Sequence, residues 1–178
     1  DKLKALIRQG GLKEMRDAPD TLLTSKQRVV KQATLENKPF FDSQRAASAF
    51  AGHDWPVYFL DFEGIAFAVP LWAGTRPYQQ IPFQFSVHCL TAEGEQTHAE
   101  FLDISGEDPS RACAEALLPA CGSSGPVYVY NKTYEQSRIA ELAERFPDLA
   151  AWLLALNERI VDLLPAARDY YYHPAQEG

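Results

Sequence analysis

No apolar run in this 178-residue sequence approaches the ~18 residues that a membrane-spanning helix needs. Its first residues do not have the charged, apolar, small-residue order of a secretory leader. Cysteine is scarce: Cys89, Cys113 and Cys121 are an odd number without zinc-ligand spacing. That argues against a disulfide framework and a zinc site, and the three read as reduced thiols of a cytoplasmic protein. Internal repeats and low-complexity tracts are missing, which excludes a solenoid or a disordered tail. Positive charge is short as well. Seventeen Lys and Arg stand against 24 Asp and Glu, a net charge of −7, which does not suit a surface that grips phosphate backbones everywhere.

What is present is an ordinary globular composition. At 46% hydrophobic residues the chain has enough apolar material for a core, and its length suits one domain with an appendage. Charge is distributed unevenly. Residues 1–31 hold eight basic side chains against four acidic, and the remainder holds nine against twenty. A basic arm on an acidic body suits a nucleic-acid enzyme whose acidic cleft is neutralised by metal. By charge alone, a solvated helical arm is the plainer reading. The chain begins at Asp1 and stops soon after Tyr170-Tyr171-Tyr172-His173-Pro174, so it reads as a piece of something longer.

Periodicity and capping residues predict the elements. Residues 1–52 read as a helical extension: short pieces at Lys2–Gln9 and Leu12–Arg16, a helix capped by Thr24 or Ser25 and running to Glu36, and another from Asp42 or Ser43 to Phe50. Residues 53–178 read as the main domain. Val57–Phe62 has β-formers on both faces, as in a central strand covered on both sides. A Gly- and Pro-rich connection at 64–80 leads to strands at 82–90 and 96–102. Helices are expected from Asp108-Pro109 to Cys121, over 133–146 and from Pro147 to Leu156, with strands at 127–130 and 160–163 and a last helix to Tyr170. Three antiparallel strands followed by α-β units imply an α/β fold: a mixed sheet with helices on both faces.

Three short stretches carry chemistry. Strand side chains at i and i+2 point the same way, so Asp61 and Glu63 share a face, with Phe62 opposite. Two carboxylates this close repel, and a hard cation relieves them; oxygen ligands suit Mg²⁺ or Mn²⁺. The bland alternative is a strand ending in water with two solvated acids. The strand 127–130 delivers Asn131, followed by Lys132, to a strand-helix junction, with Tyr134 and Glu135 in the next turn. If the two strands are neighbours, Glu135 faces the end of the first. Otherwise Asn131 caps the helix and Glu135 answers its dipole. Asp162 follows apolar residues and opens a helix, where N-capping is its simplest role. His88 reads as a packed or hydrogen-bonded strand residue, and His98 as exposed. Trp72, Arg76, Tyr78 and Gln79 in the long connection are placed to hold a strand end by stacking and phosphate contact, or merely to connect strands. The tyrosines near His173 form either a stacking surface or a cluster sealing a terminus.

The stretches Leu60–Gly64, Tyr130–Glu135 and Val161–Arg168 resemble, in order and spacing, the motifs of the DEDD superfamily of proofreading-type exonucleases. The resemblance implies a ribonuclease H-like fold. It implies two metal ions, Mg²⁺ or Mn²⁺, with Asp61 and Glu63 on the first strand and Glu135 where those enzymes have Asp. Asp162 matches their intervening V-D-T-L stretch. Their last motif, a Tyr or His before a catalytic Asp, has no match before Gly178, so the fourth carboxylate and general base are expected beyond it. A closer resemblance, over about residues 25–178, is to an uncharacterised bacterial domain family of that superfamily. It is carried by Phe59–Glu63, Arg76–His88, Val129–Lys132 and the Tyr-Tyr-x-His-Pro region.

These resemblances imply a nuclease, and a 3′–5′ exonuclease on DNA or RNA is the expected activity. Asp61, Glu63, Glu135 and Asp162 are the expected catalytic residues, the first three as metal ligands. Arg76, Tyr78, Gln79, Asn131 and Lys132 are the expected substrate contacts. The implied partners are a nucleic-acid strand end and an upstream RecB-like nuclease domain in the same chain. A degenerate, non-catalytic module of the same fold is the alternative. An aspartyl-phosphate hydrolase fits poorly, because its D-x-D-G-[TV] signature would need Asp at Glu63 and Thr or Val at Ile65.

Overall fold

The structure, a computed structural model, describes residues 2–176. It divides into two compact units: Gly52–Leu164, and the segments up to Ala51 and from Pro165 taken together.

The larger unit holds a five-stranded mixed sheet. Its strands are β2 (Val57–Ile65), β3 (Ile81–Leu90), β4 (Gln96–Leu102), β5 (Val127–Val129) and β6 (Ile160–Asp162), in the order β4-β3-β2-β5-β6. The pairs β2–β3 and β3–β4 are antiparallel, while β2–β5 and β5–β6 are parallel. This mixed α/β order, flanked by helices, is compatible with a ribonuclease H-like fold. Three helices belong to it: α4 (Ser110–Cys121), α5 (Lys132–Arg145) and α6 (Ala150–Glu158).

One core gathers the apolar stripes of all three helices. Cys113, Ala114, Leu117 and Cys121 of α4, Ile139, Leu142 and Ala143 of α5, and Leu153 and Leu156 of α6 cluster with Tyr58, Leu60, Phe62, Phe85, Val87, Val127 and Val129. Spacings of three and four residues give each helix a single apolar face. Burial raises the thiols of Cys113 and Cys121 to about 12, so both stay protonated.

The sheet departs from expectation on its other face. β2 alternates: Tyr58, Leu60 and Phe62 are buried, whereas Phe59, Asp61 and Glu63 are exposed. The three helices of this unit therefore share one face of the strand, and β2 is not covered on both sides within it. An apolar run with two acids in alternate positions is a half-buried strand, because the acids keep their own face in water while the residues between them pack. His88 differs too. It is exposed, with its ring stacked on His98 at 4.3 Å, because its register sets it opposite Phe59 on the open face.

Arg159 closes the loop that links α4 to β5. Its guanidinium donates to the carbonyls of Gly125 (2.7 Å), Gly122 (2.8 Å), Cys121 (2.9 Å) and Ser124 (2.6 Å). It also lies 5.5 Å from the centre of the Tyr58 ring. Arg159→Ala would leave these carbonyls without their charged donor. Urea denaturation is expected to show a loss of about 2 kcal/mol, and an unchanged midpoint would contradict that role.

The smaller unit contains α1 (Lys2–Arg8), α2 (Ser25–Glu36), β1 (Phe40–Phe41), α3 (Ser43–Phe50), most of α7 (Leu164–Tyr170) and β7 (Tyr171–Tyr172). Thr24 caps α2 through a capping box with Gln27, and Asp42 caps α3 by accepting from Arg45 N–H at 3.0 Å. The expected helix over Leu12–Arg16 is replaced by single 3₁₀ turns at Met15–Asp17 and Asp20–Leu22. The Gly10-Gly11 pair before them and Pro19 between them leave too short a stretch to nucleate an α-helix. Phe40 and Phe41 pair antiparallel with Tyr172 and Tyr171. Several cations of the basic arm have acidic neighbours: Arg16 with Glu14 at 2.8 Å, Lys31 with Asp20 at 2.8 Å, and Lys26 with Asp169 at 3.7 Å.

Candidate active site

The site lies where β2 and β5 run parallel, at their carboxyl ends. In register, Tyr58 stands beside Val127 and Phe59 beside Tyr128. From there β2 continues to Asp61 and Glu63, while β5 passes through Asn131 into α5. Sites form at such strand ends because the chain leaves the sheet there and exposes side chains and helix N-termini together.

Asp61 and Glu63 project from the exposed face, opposite Ser86 and Gln84 of β3. Phe59 precedes them in the same row, and its ring lies 5.4 Å from that of Tyr128. The Tyr128 hydroxyl is 2.6 Å from His53 Nδ1.

Glu135 is different. It lies in the first turn of α5 and is only 2% exposed. Its Oε2 is buried and has no hydrogen-bond partner. Burial raises its carboxyl to about 7; its own backbone N–H opposes that shift, and the charges of Asp61 and Asp162 add to it. Three acids from three elements thus bear on one another. A buried carboxylate oxygen without a donor is costly, and two further acids nearby increase the cost.

Asp162 ends β6. Its Oδ1 accepts from the backbone N–H of Asn131 at 3.1 Å and of Leu164 at 2.9 Å. It therefore joins the start of α5 to Leu164, two residues beyond itself, and its capping bond is real. Asn131 adopts the left-handed conformation, φ 74°, and its side chain makes no capping bond. Lys132 is exposed as the first residue of α5. The turn of Arg76, Tyr78 and Gln79 lies in the connection between β2 and β3, which leaves the sheet directly after Glu63-Gly64-Ile65.

Two contacts are not foreshadowed by the motifs. The first is Gly64 against Tyr134: a Cβ at Gly64 would collide with the Tyr134 hydroxyl and come within 3.0 Å of Gln80 Oε1. Glycine lets the acid-bearing end of β2 approach the first turn of α5. Gly64→Ala is expected to displace the Tyr134 ring from the strand end and to lower stability by about 1–3 kcal/mol in urea denaturation; an unchanged midpoint would contradict the close-approach role. The second is the charge row behind Tyr134. Arg138, 8% exposed, lies 5.2 Å from the Tyr134 ring centre and 3.1 Å from Glu141. Arg76 reaches the same Glu141 at 2.9 Å. Burial raises the Tyr134 phenol, and Arg138 partly offsets the shift. The i, i+4 spacing of Tyr134 and Arg138 was the available signal for this row.

Among the described residues, no three or more His, Cys, Asp or Glu side chains are grouped to hold a metal ion as they stand. The donor set is nonetheless of the hard, oxygen-only kind, and the unpartnered Glu135 Oε2 is an atom that a cation would satisfy. Asp61, Glu63 and Glu135 are the residues that could hold one.

No curated protein and no solved structure matches the chain. A family model described as a domain of unknown function (DUF2779) matches residues 58–178, and the chain belongs to that family.

Proposed function

We propose that this protein is a metal-dependent nuclease that hydrolyses phosphodiester bonds, acting as a 3′–5′ exonuclease of the DEDD type on DNA or RNA. The observation that carries the reading is Glu135: a buried carboxylate with an orphaned oxygen, next to the charges of Asp61 and Asp162. An acid so placed is expensive unless something positive offsets it, and this expense is ordinary at functional sites.

In this reading Asp61, Glu63 and Glu135 would hold Mg²⁺ or Mn²⁺, two ions in the complete site. When bound, such ions activate water and stabilise the leaving oxygen. Asp162 fixes the entry to α5, and so the place of Glu135, through its bond to Asn131 N–H. Arg76, Tyr78, Gln79, Asn131 and Lys132 contact the nucleic-acid strand end. A RecB-like nuclease domain in the same chain is the proposed upstream neighbour.

The full-length protein with Mn²⁺ is expected to shorten end-labelled single strands of DNA or RNA. Intact strands beside a control enzyme that cuts would remove the catalytic reading. The alternative is a non-catalytic module that binds nucleic acid or a partner domain. Glu135 favours it, being one methylene longer than the Asp of the exonuclease motif. Mn²⁺ binding without cleavage would mark that module.

A further inference from the structure

We propose that Tyr78 is a nucleobase-stacking residue, displayed on a strained turn whose Arg76 takes a phosphate of the same strand. The inference rests on the nuclease reading for the class of ligand alone.

The turn is Arg76-Pro77-Tyr78-Gln79. The Arg76 carbonyl accepts from Gln79 N–H at 3.1 Å, proline holds the second position, and Tyr78 has φ 57° in the third. That is the pattern of a type II turn, whose third position belongs to glycine or asparagine. A tyrosine there crowds its Cβ against the backbone, and such strain persists only where surrounding structure enforces it.

The surroundings do enforce it. Gln79 Oε1 accepts from Arg76 N–H at 3.1 Å, and Tyr78 N–H donates to the Phe67 carbonyl at 2.8 Å. Phe67 meets Trp72 edge-on at 5.5 Å, and Trp72 Nε1 donates to the Gly106 carbonyl at 3.1 Å. Burial does not offset the strain, because Tyr78 is 73% exposed. An exposed aromatic whose backbone is pinned by these bonds is a partly preorganised platform, since stacking on it orders no further backbone.

Arg76 supplies the second contact. Its partner Glu141 is also paired with Arg138, whose side chain is 9% exposed against 67% for Arg76. Arg76 can therefore exchange Glu141 for a phosphate while Glu141 keeps a buried partner. Glu141 lies on the helix that carries Glu135, less than two turns further along. An aromatic ring and a guanidinium on one turn match a base and its phosphate better than either matches an apolar peptide.

The test uses the whole chain with Ca²⁺ and a fluorescein-labelled oligothymidylate, read by anisotropy. Asparagine tolerates left-handed backbone, so Tyr78→Asn should melt no lower than wild type. It should nevertheless bind the strand about tenfold more weakly or worse. Tyr78→Phe should keep the affinity. An abasic strand of equal length should bind wild type and Tyr78→Asn alike. Unchanged oligothymidylate affinity in Tyr78→Asn, or an equal loss on the abasic strand, would overturn the proposal. So would a wild type that binds neither oligothymidylate nor oligouridylate, which would leave a protein partner for this turn. Tyr78-dependent binding without Mn²⁺-dependent cleavage would keep the stacking role and remove the nuclease reading.

Discussion

Asp61→Ala is expected to lower Mn²⁺-dependent cleavage of single strands by about a thousandfold or more, with little change in stability. On the proposed reading the activity loss follows from removing a metal ligand, whose ion would contribute several kcal/mol of charge stabilisation. The small stability change follows from position. Asp61 is exposed on the open sheet face, while its neighbours Leu60 and Phe62 carry the packing on the other. Exposed substitutions away from special backbone usually move stability by under about 0.5 kcal/mol. Cleavage assays and urea melts of the same preparation would check both points. Wild-type cleavage by the variant would remove Asp61 from the site, and a large fall in stability would assign it a structural role instead.

Glu135→Gln should also impair the proposed metal binding, but it should stabilise the metal-free protein. Below about pH 4.5 the carboxyl is protonated in folded and unfolded chains alike and contributes nothing. As pH rises towards about 7, the unfolded chain releases this proton and the folded chain retains it, so folding becomes progressively less favourable. Above that value the penalty is fully present, at about 3 kcal/mol. Glutamine has no such proton to lose. With a chelator present, Glu135→Gln should melt roughly 6–12 °C above wild type at alkaline pH and converge with it in acid. Parallel melting profiles across that pH range would show that the buried carboxyl exerts no such strain. On the proposed reading, in which Glu135 is a ligand, Mn²⁺ affinity of the wild type should rise through neutral pH, because the carboxyl must lose its proton to bind.

Much of the local structure was legible because its causes are local. Thr24 with Gln27, and Asp42 before α3, announce helix starts through side chains that reach their own backbone. The stripe of Ile139, Leu142 and Ala143 announces the buried face of α5. The two-residue strands β1 and β7 were not legible. Each is too short to carry a period, and their partners lie more than a hundred residues apart in the chain. The positive φ of Tyr78 was hidden for a related reason: tyrosine is not a residue that advertises left-handed backbone.

The site divides the same way. Alternation along β2 by itself determined that Asp61 and Glu63 share a face, since the pleat fixes side-chain direction from one residue to the next. Only the tertiary structure decided that this face is open, that Gly64 lets Tyr134 close on the strand end, and that Glu135 is buried beside the charges of Asp61 and Asp162. Side-chain direction is set within one strand, whereas burial and electrostatic neighbourhood are set by which distant elements pack together.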